Sequence, residues 1–373
     1  MATPRGVSLP APPGARGAGV RAFHPEDLPA LIELRRRVYG STERRSAAAA
    51  AAYWERMFCH PGALGDHLGS YVYESREGEV VGFQGVVERT MRFLGGPIRV
   101  AVGTQLMVAP EHRGFAGRAL VRALLGGPQD LTLSDVANDS ARRLWESLGA
   151  HCAVTESLSW TWTLRPLRHR ANEVVMRGAG LATRGALLAV RPFLTAGDAL
   201  VARRPTLHAD VDVVPIDPDV IAETAQALFA PFALAPDYTP DSIGWLLTQL
   251  REKRQFGELV GGIVRLRSGG PVGWFLYYRN RGGECEVVQV AADPRHALLV
   301  LDQLGVHARR RGGVALTGRI TAAMLPDLAA RNVTLRHEGP WVLYHSSRPE
   351  ISGALGRGDA WLSRLDAEWW MSF

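Results

Sequence analysis

Gln105-Leu-Met-Val-Ala-Pro-Glu-His-Arg-Gly-Phe-Ala-Gly-Arg-Ala-Leu120 decides how this chain is read. It opens as an apolar strand that Pro110 brings to an end, and an apolar repeat at helical spacing takes over from Leu120. The glycine turn between them, passing from a strand into a helix, is an anion cradle. Successive backbone N–H groups of Arg113, Gly114, Phe115, Ala116, Gly117, Arg118 and Ala119 face the turn, and the helix dipole adds positive potential. A pyrophosphate fits there without large side chains, so the expected partner is phosphorylated. No Gly-x-Gly-x-x-Gly follows the strand and no Gly-Lys-Ser/Thr is present, which excludes two common nucleotide-binding readings.

Val108-x-Pro110-Glu111-x-Arg113-Gly114, followed by the small-residue turn and Ala119-Leu120, resembles the acyl-CoA-binding signature of the GNAT family of N-acyltransferases. Asn138-Asp-Ser-Ala-Arg-Arg-Leu-Trp-Glu-Ser-Leu-Gly-Ala150 resembles that family's second signature. The resemblance implies acetyl-CoA or another short acyl-CoA as co-substrate and no metal. It places a main-chain donor for the oxyanion at a bulge at Met107 or Val108, and lays Asn138 and Ser140 along the pantetheine arm with Trp145 packed beside it. There are two departures. Counted from Arg113, the small positions hold Ala116 and Arg118, while Gly117 and Ala119 fit after a one-residue shift. Trp145 stands where many members carry a Tyr thought to reprotonate the thiolate, and an indole N–H is no usable acid.

At 373 residues the chain exceeds a single ordinary core, so two domains of roughly 150 residues are expected. The net charge of +6 comes almost wholly from Arg, since Lys253 is the one lysine in the sequence, and it is scattered in pairs and triplets. Nucleic-acid binding is not expected from that pattern. Cys59, Cys152 and Cys285 share no metal or redox spacing, which fits a reducing cytoplasm. Residues 1–19 are rich in Pro, Gly and Ala without an apolar core, and read as a disordered leader. No membrane span is expected: the most apolar stretch, residues 186–194, is broken by Arg191 and Pro192 and falls far short of the ~20 residues required.

The element order predicts an α/β (α+β) fold of two GNAT-like domains, each a mixed, mainly antiparallel central sheet flanked by helices. The first covers 20–165 and closes with a strand at residues 157–164; 166–208 is a connector; the second covers 209–373 and closes with strands near Val333 and at residues 341–345. At the turn equivalent to 113–119 the second copy reads Val290-Ala-Ala-Asp-Pro-Arg-His296, with no glycine and a carboxylate where donors would be needed, so coenzyme binding is assigned to the first copy alone.

Acyl transfer to an amine needs a base. Glu88 at a strand end and Asp135 at the end of the strand after Leu131 are candidates, as is the terminal carboxylate of Phe373, which in some multidomain members of the family reaches the active site; Glu368 is another. The function expected is transfer of a short acyl group from acetyl-CoA to an amine on a small molecule, by direct attack in a ternary complex. Two alternatives are a non-catalytic binding or scaffolding protein of the same fold, and an acyltransferase fed by an acyl carrier protein that Arg165, Arg168 and Arg170 would contact. Nothing in the sequence sets an oligomeric state.

Overall fold

The computed structural model describes residues 18–40, 47–59, 68–178, 183, 186, 189–202, 204–337 and 339–371. Apart from Ala18 and Gly19, the leader expected over 1–19 lies outside the described residues, as does Phe373. The chain forms two compact units: one from Met1–His60, Gly69–Gly85 and Gln105–Gly126, the other from Pro61–Leu68, Val86–Thr104 and Gly127–Phe373.

In the first unit, β1 (Gly19–Ala22) pairs antiparallel with β2 (Tyr71–Glu74), and β2 with the opening residues of β3 (Val80–Phe93). Pro25–Asp27 forms a 3-10 turn ahead of α1 (Leu28–Tyr39); Asp27 is gripped there by both Arg21 Nη atoms at 2.7 Å. Helix α2 (Ala47–Trp54) brings Trp54 against Phe83, ring centroids 5.4 Å apart, and Phe23 packs on the same ring at 5.6 Å. The closing residues of β4 (Gly96–Val108) lead to α3 (Phe115–Leu125), which buries Leu120, Val121 and Leu124. A Cβ at Gly82 would stand 2.9 Å from Leu120 Cδ1 and 3.1 Å from Tyr73 Cβ, so glycine lets α3 lie close on β3.

The second unit holds the rest of β3 and β4. Its further strands are β5 (Leu131–Ala137), β6 (His151–Cys152), β7 (Ser159–Thr163), β8 (Val211–Val214), β9 (Leu234–Pro236), β10 (Glu258–Leu266), β11 (Pro271–Arg279), β12 (Glu284–Ala292), β13 (Ala315–Arg319), β14 (Thr334–Arg336) and β15 (Trp341–His345). Its helices are α4 (Asp139–Glu146), α5 (Pro166–Met176), α6 (Arg191–Val201), α7 (Pro218–Phe229), α8 (Pro240–Arg251), α9 (Ala297–Arg310), α10 (Leu325–Ala330) and α11 (Pro349–Gly356). One sheet here runs β14-β7-β13-β12-β11-β10-β8, antiparallel except for β12 beside β13. β4 and β5 pair in parallel from Val100↔Leu131 to Val102↔Leu133, and β15 lies antiparallel between β5 and β6.

The closing strands are therefore exchanged relative to the sequence expectation. The strand expected to close the first sheet, β7, sits between β13 and β14; of the two expected to close the second, β14 lies in that sheet while β15 sits beside β5. Side-chain volume explains the choice. Trp160 and Trp162 of β7 occupy notches left by Gly318 and Gly305, where an added Cβ would lie 2.8 and 2.7 Å from their rings. Val342 and Tyr344 of β15 instead share a core with Val100, Leu131, Leu133, Ile351 and Leu355, α11 contributing the last two. Alternation marks a strand but does not name its neighbours.

The connector contains α5 and α6, held together by buried Asp198, which accepts from Leu167 N–H at 2.8 Å and Arg168 Nε at 3.1 Å. Every residue from 360 to 371 is buried, so the chain's last described stretch is core rather than tail.

Candidate active site

The turn that opens α3 has the geometry an anion cradle needs. Gly114 lies at φ 93°, a left-handed conformation that favours glycine, and the first helical bond runs from Arg118 N–H to Gly114 O at 3.0 Å. The N–H groups of Phe115, Ala116 and Gly117 come before that bond and point out of the helix start. Arg113 and Arg118 are exposed, Ala119 is half-buried and Ala116 and Gly117 are buried, while Phe115 is 76% exposed with its ring edge-on to Tyr73. In β4 the left-handed residue is Gln105, φ 52°, two positions ahead of Met107; its amide oxygen accepts from Arg35 Nη1 at 3.2 Å. Met107 is buried and Val108 half-buried.

Asn138, Ser140 and Trp145 belong to the second unit. Asn138 Oδ1 caps α4 by accepting from Ala141 N–H at 2.9 Å, the Ser140 hydroxyl receives Arg143 Nη2 at 3.5 Å, and Trp145 is buried in the core. The coenzyme residues named from the sequence are thus shared out: the turn and the end of β4 in one unit, these three in the other.

Two of the three side-chain carboxylates nominated as base, Glu88 and Asp135, carry arginine partners. Glu88 accepts from Arg99 Nε at 2.8 Å and from Leu68 N–H at 3.0 Å. Asp135 is buried; Oδ2 is paired with Arg319 Nη1, and Oδ1 accepts the main-chain N–H of Glu368 at 2.8 Å. Asp135 anchors the C-terminal stretch, with both oxygens engaged. Phe373 lies outside the described residues.

The carboxyl group that Asp135 holds in place is the unusual one. Glu368 Oε1 accepts from the Ser134 hydroxyl at 2.5 Å and from Val136 N–H at 3.3 Å, and the Thr104 hydroxyl bonds the same carboxylate. These partners lie just past Val102 and Leu133, where β4 and β5 stop pairing. Burial, and then the charge of Asp135, push the Glu368 carboxyl up to about 7. Nearby, Glu156 is also raised by burial and lines a small pocket with Asp135 and Arg319.

The same arrangement recurs in the second copy with the opposite charge. β12 and β13 stop pairing at Val287 and Gly318, and the β11–β12 register slips between Leu276 and Tyr277. Arg364, from the C-terminal stretch, enters there: Nη1 pairs with Glu286 and bonds Val287 O at 3.1 Å, and burial lowers its guanidinium to about 10. At the following turn Asp293 accepts from Arg295 N–H at 2.9 Å, and the Arg295 side chain holds its carboxyl down to about 2. A phosphate brought there would meet a fixed negative charge.

Arg319, Arg364, Thr104 and Ser134 did not stand out in the sequence. The one local signal was two acids, Asp366 and Glu368, set among Trp, Leu and Met in a run whose aromatic content implied burial.

The sequence matches no family model and no curated protein. Solved structures do match. A probable N-acyltransferase from Enterococcus faecalis superposes with a TM-score of 0.57 at 14% identity, covering 89% of this chain and 73% of that one. A GCN5-related N-acetyltransferase from Anabaena variabilis gives 0.54 at 15%, covering 87% and 72%, and another from Kribbella flavida 0.54 at 15%, covering 88% and 71%. The fold is that of the GNAT N-acyltransferases, with two mixed, mainly antiparallel sheets. Among the described residues no helix is long and apolar enough to cross a membrane, and no group of three or more His, Cys, Asp and Glu is placed to hold a metal.

Proposed function

We propose that the protein is an acyl-CoA-dependent N-acyltransferase that moves an acetyl or other short acyl group to an amine on a small molecule by direct attack. The observation that carries this reading is the turn at Gly114: a left-handed glycine and outward N–H groups at a helix start, at the position in the GNAT order where the acyl-CoA signature falls. In this proposal the turn takes the pyrophosphate, Asn138 and Ser140 pair with the amides of the pantetheine arm, and a main-chain N–H at Met107 or Val108 receives the oxyanion, a contribution of ~3 kcal/mol to the barrier. The copy over 209–373 binds no coenzyme, since Asp293 occupies the equivalent turn.

Free coenzyme is favoured over an acyl carrier protein because the arginines that would greet an acidic carrier are engaged. Arg165 donates to Gly313 O and Arg309 O at 3.1 and 2.7 Å, Arg168 pairs with Asp198, and Arg170 pairs with Glu173 at 2.7 Å.

Phe115→Glu tests the reading. An acid in the first helical turn favours the helix, and the side chain at this position is exposed, so the fold is expected to stand; the same charge opposes a phosphate at the turn. Wild-type protein with acetyl-CoA at 100-fold its dissociation constant gains about 2.7 kcal/mol of stability, and the variant should lose that gain. Asp293→Lys serves as the control and should leave it intact. Wild-type protein that shows no stabilisation would instead favour the scaffolding reading.

A further inference from the structure

We infer that Glu368, delivered by the buried C-terminal stretch to the mouth between β4 and β5, is the catalytic base that takes the proton from the acceptor ammonium. The inference rests on the acyltransferase reading. Its geometry is independent of the coenzyme turn. β4 and β5 are hydrogen-bonded neighbours as far as Val102 and Leu133 and then cease to pair, which leaves strand main chain able to bond an extended, amide-bearing ligand. The Glu368 side chain reaches into that gap, held by the hydroxyls of Thr104 and Ser134 and by Val136 N–H.

The other side-chain carboxylates nominated from the sequence are tied. Asp135 has one oxygen on Arg319 and the other on Glu368 N–H, and Glu88 is on Arg99 and Leu68 N–H. Asp135 is therefore a positioning residue: Arg319 orients it, and it fixes the backbone from which Glu368 projects. The charged groups around Glu368 are Asp135 on β5, whose charge opposes ionisation, Arg319 on β13, which is paired to Asp135, and Glu156, which shares a pocket with both. On its own stretch, Arg364 is paired with Glu286 and Asp366 accepts from Tyr238 and Ser363; beyond it, Lys253 donates to Trp369 O at 2.8 Å. A carboxyl set near 7 is matched to work at neutral pH.

In the step proposed, Glu368 removes one proton from R–NH3+, and the neutral amine attacks the thioester carbonyl. The C–N bond forms, the C–S bond breaks as the intermediate collapses, the second nitrogen proton passes to the departing thiolate, and Glu368 returns its proton to water. The products are the amide, the free thiol and one proton.

The test is free-thiol release from acetyl-CoA across a panel of primary amines, pH 6 to 10, for wild type, Glu368→Gln and Glu368→Asp, with thermal unfolding and acetyl-CoA binding recorded for each. Gln keeps an oxygen for Ser134 and Val136, so folding and coenzyme binding are expected to persist. The variant's rate should fall at least ~100-fold at pH 7, with the deficit shrinking as the amine deprotonates, and Asp should restore part of the rate. A Gln variant within threefold of wild type at pH 7, or one with the same deficit at every pH, overturns the assignment of the base while leaving acyl transfer standing. Wild type that releases no thiol with any amine overturns the acyltransferase reading and this inference with it.

Discussion

Glu368 and Asp135 are neighbouring carboxyl groups in one interior, and their partners separate their roles. Asp135 meets a guanidinium and a main-chain N–H; Glu368 meets two hydroxyls, a main-chain N–H and the charge of Asp135. The folded carboxyl of Glu368 keeps its proton up to about pH 7, whereas an ordinary glutamate releases it near 4.5. Between those values the folded chain binds more protons than the unfolded one, so this residue's contribution to stability falls as pH rises through the window and is level outside it. Glu368→Gln has no such proton. Relative to wild type the variant should gain on the order of 3 kcal/mol between pH 4 and pH 8, read from urea midpoints at the two values. Identical pH dependence in both proteins would show that Glu368 ionises as an exposed acid does.

At the scale of elements, glycines set how closely strands and helices approach. Gly273 in β11 faces Ala292 of β12, and a Cβ there would lie 2.3 Å from Ala291 O and 2.9 Å from Val300 Cγ2 of α9. Backbone cannot swing aside as a side chain can, so Gly273→Ala should destabilise by about 2–3 kcal/mol. Gly244→Ala in α8 has no atom within 4 Å of the new Cβ and should stabilise by about 0.5–1 kcal/mol. Thermal scans of the two variants should move in opposite directions. A Gly273→Ala variant that is not destabilised would mean that β11 and β12 tolerate more separation than their register suggests, and a destabilised Gly244→Ala would mean that the new methyl on α8 is not free of contacts.

For the whole molecule, the exchange of β7 and β15 makes the second unit one cooperative piece despite its two sheets. A fragment ending at residue 165 lacks β15, leaving β5 without its antiparallel neighbour, and carries β7 with its two tryptophans deprived of the Gly305 and Gly318 notches. Expressed alone it should be insoluble or molten; expressed with residues 166–373 it should recover a folded complex, since each piece holds the other's missing strand. Sharp, independent near-UV spectra and unfolding transitions from the two separate pieces would refute this.

Local patterns in the sequence were enough for most elements and for the glycine turn that opens α3. The strand-to-helix passage at Gln105–Gly126 and the burial of the aromatic C-terminal stretch both follow from propensity, periodicity and composition within a few residues. Helix α11 and strand β9 escaped that reading, because their short apolar stretches look the same in either conformation. What tertiary structure alone decided was partnership. The sheet that β7 joins depends on glycine notches more than a hundred residues away, that of β15 on a core shared with Val100, Leu131 and Leu133, and the character of Glu368 depends on Thr104, Ser134 and Asp135, distant in the chain. A carboxyl group's affinity for its proton is set by the dielectric and charge around it, and those surroundings exist only once remote segments have been folded against one another.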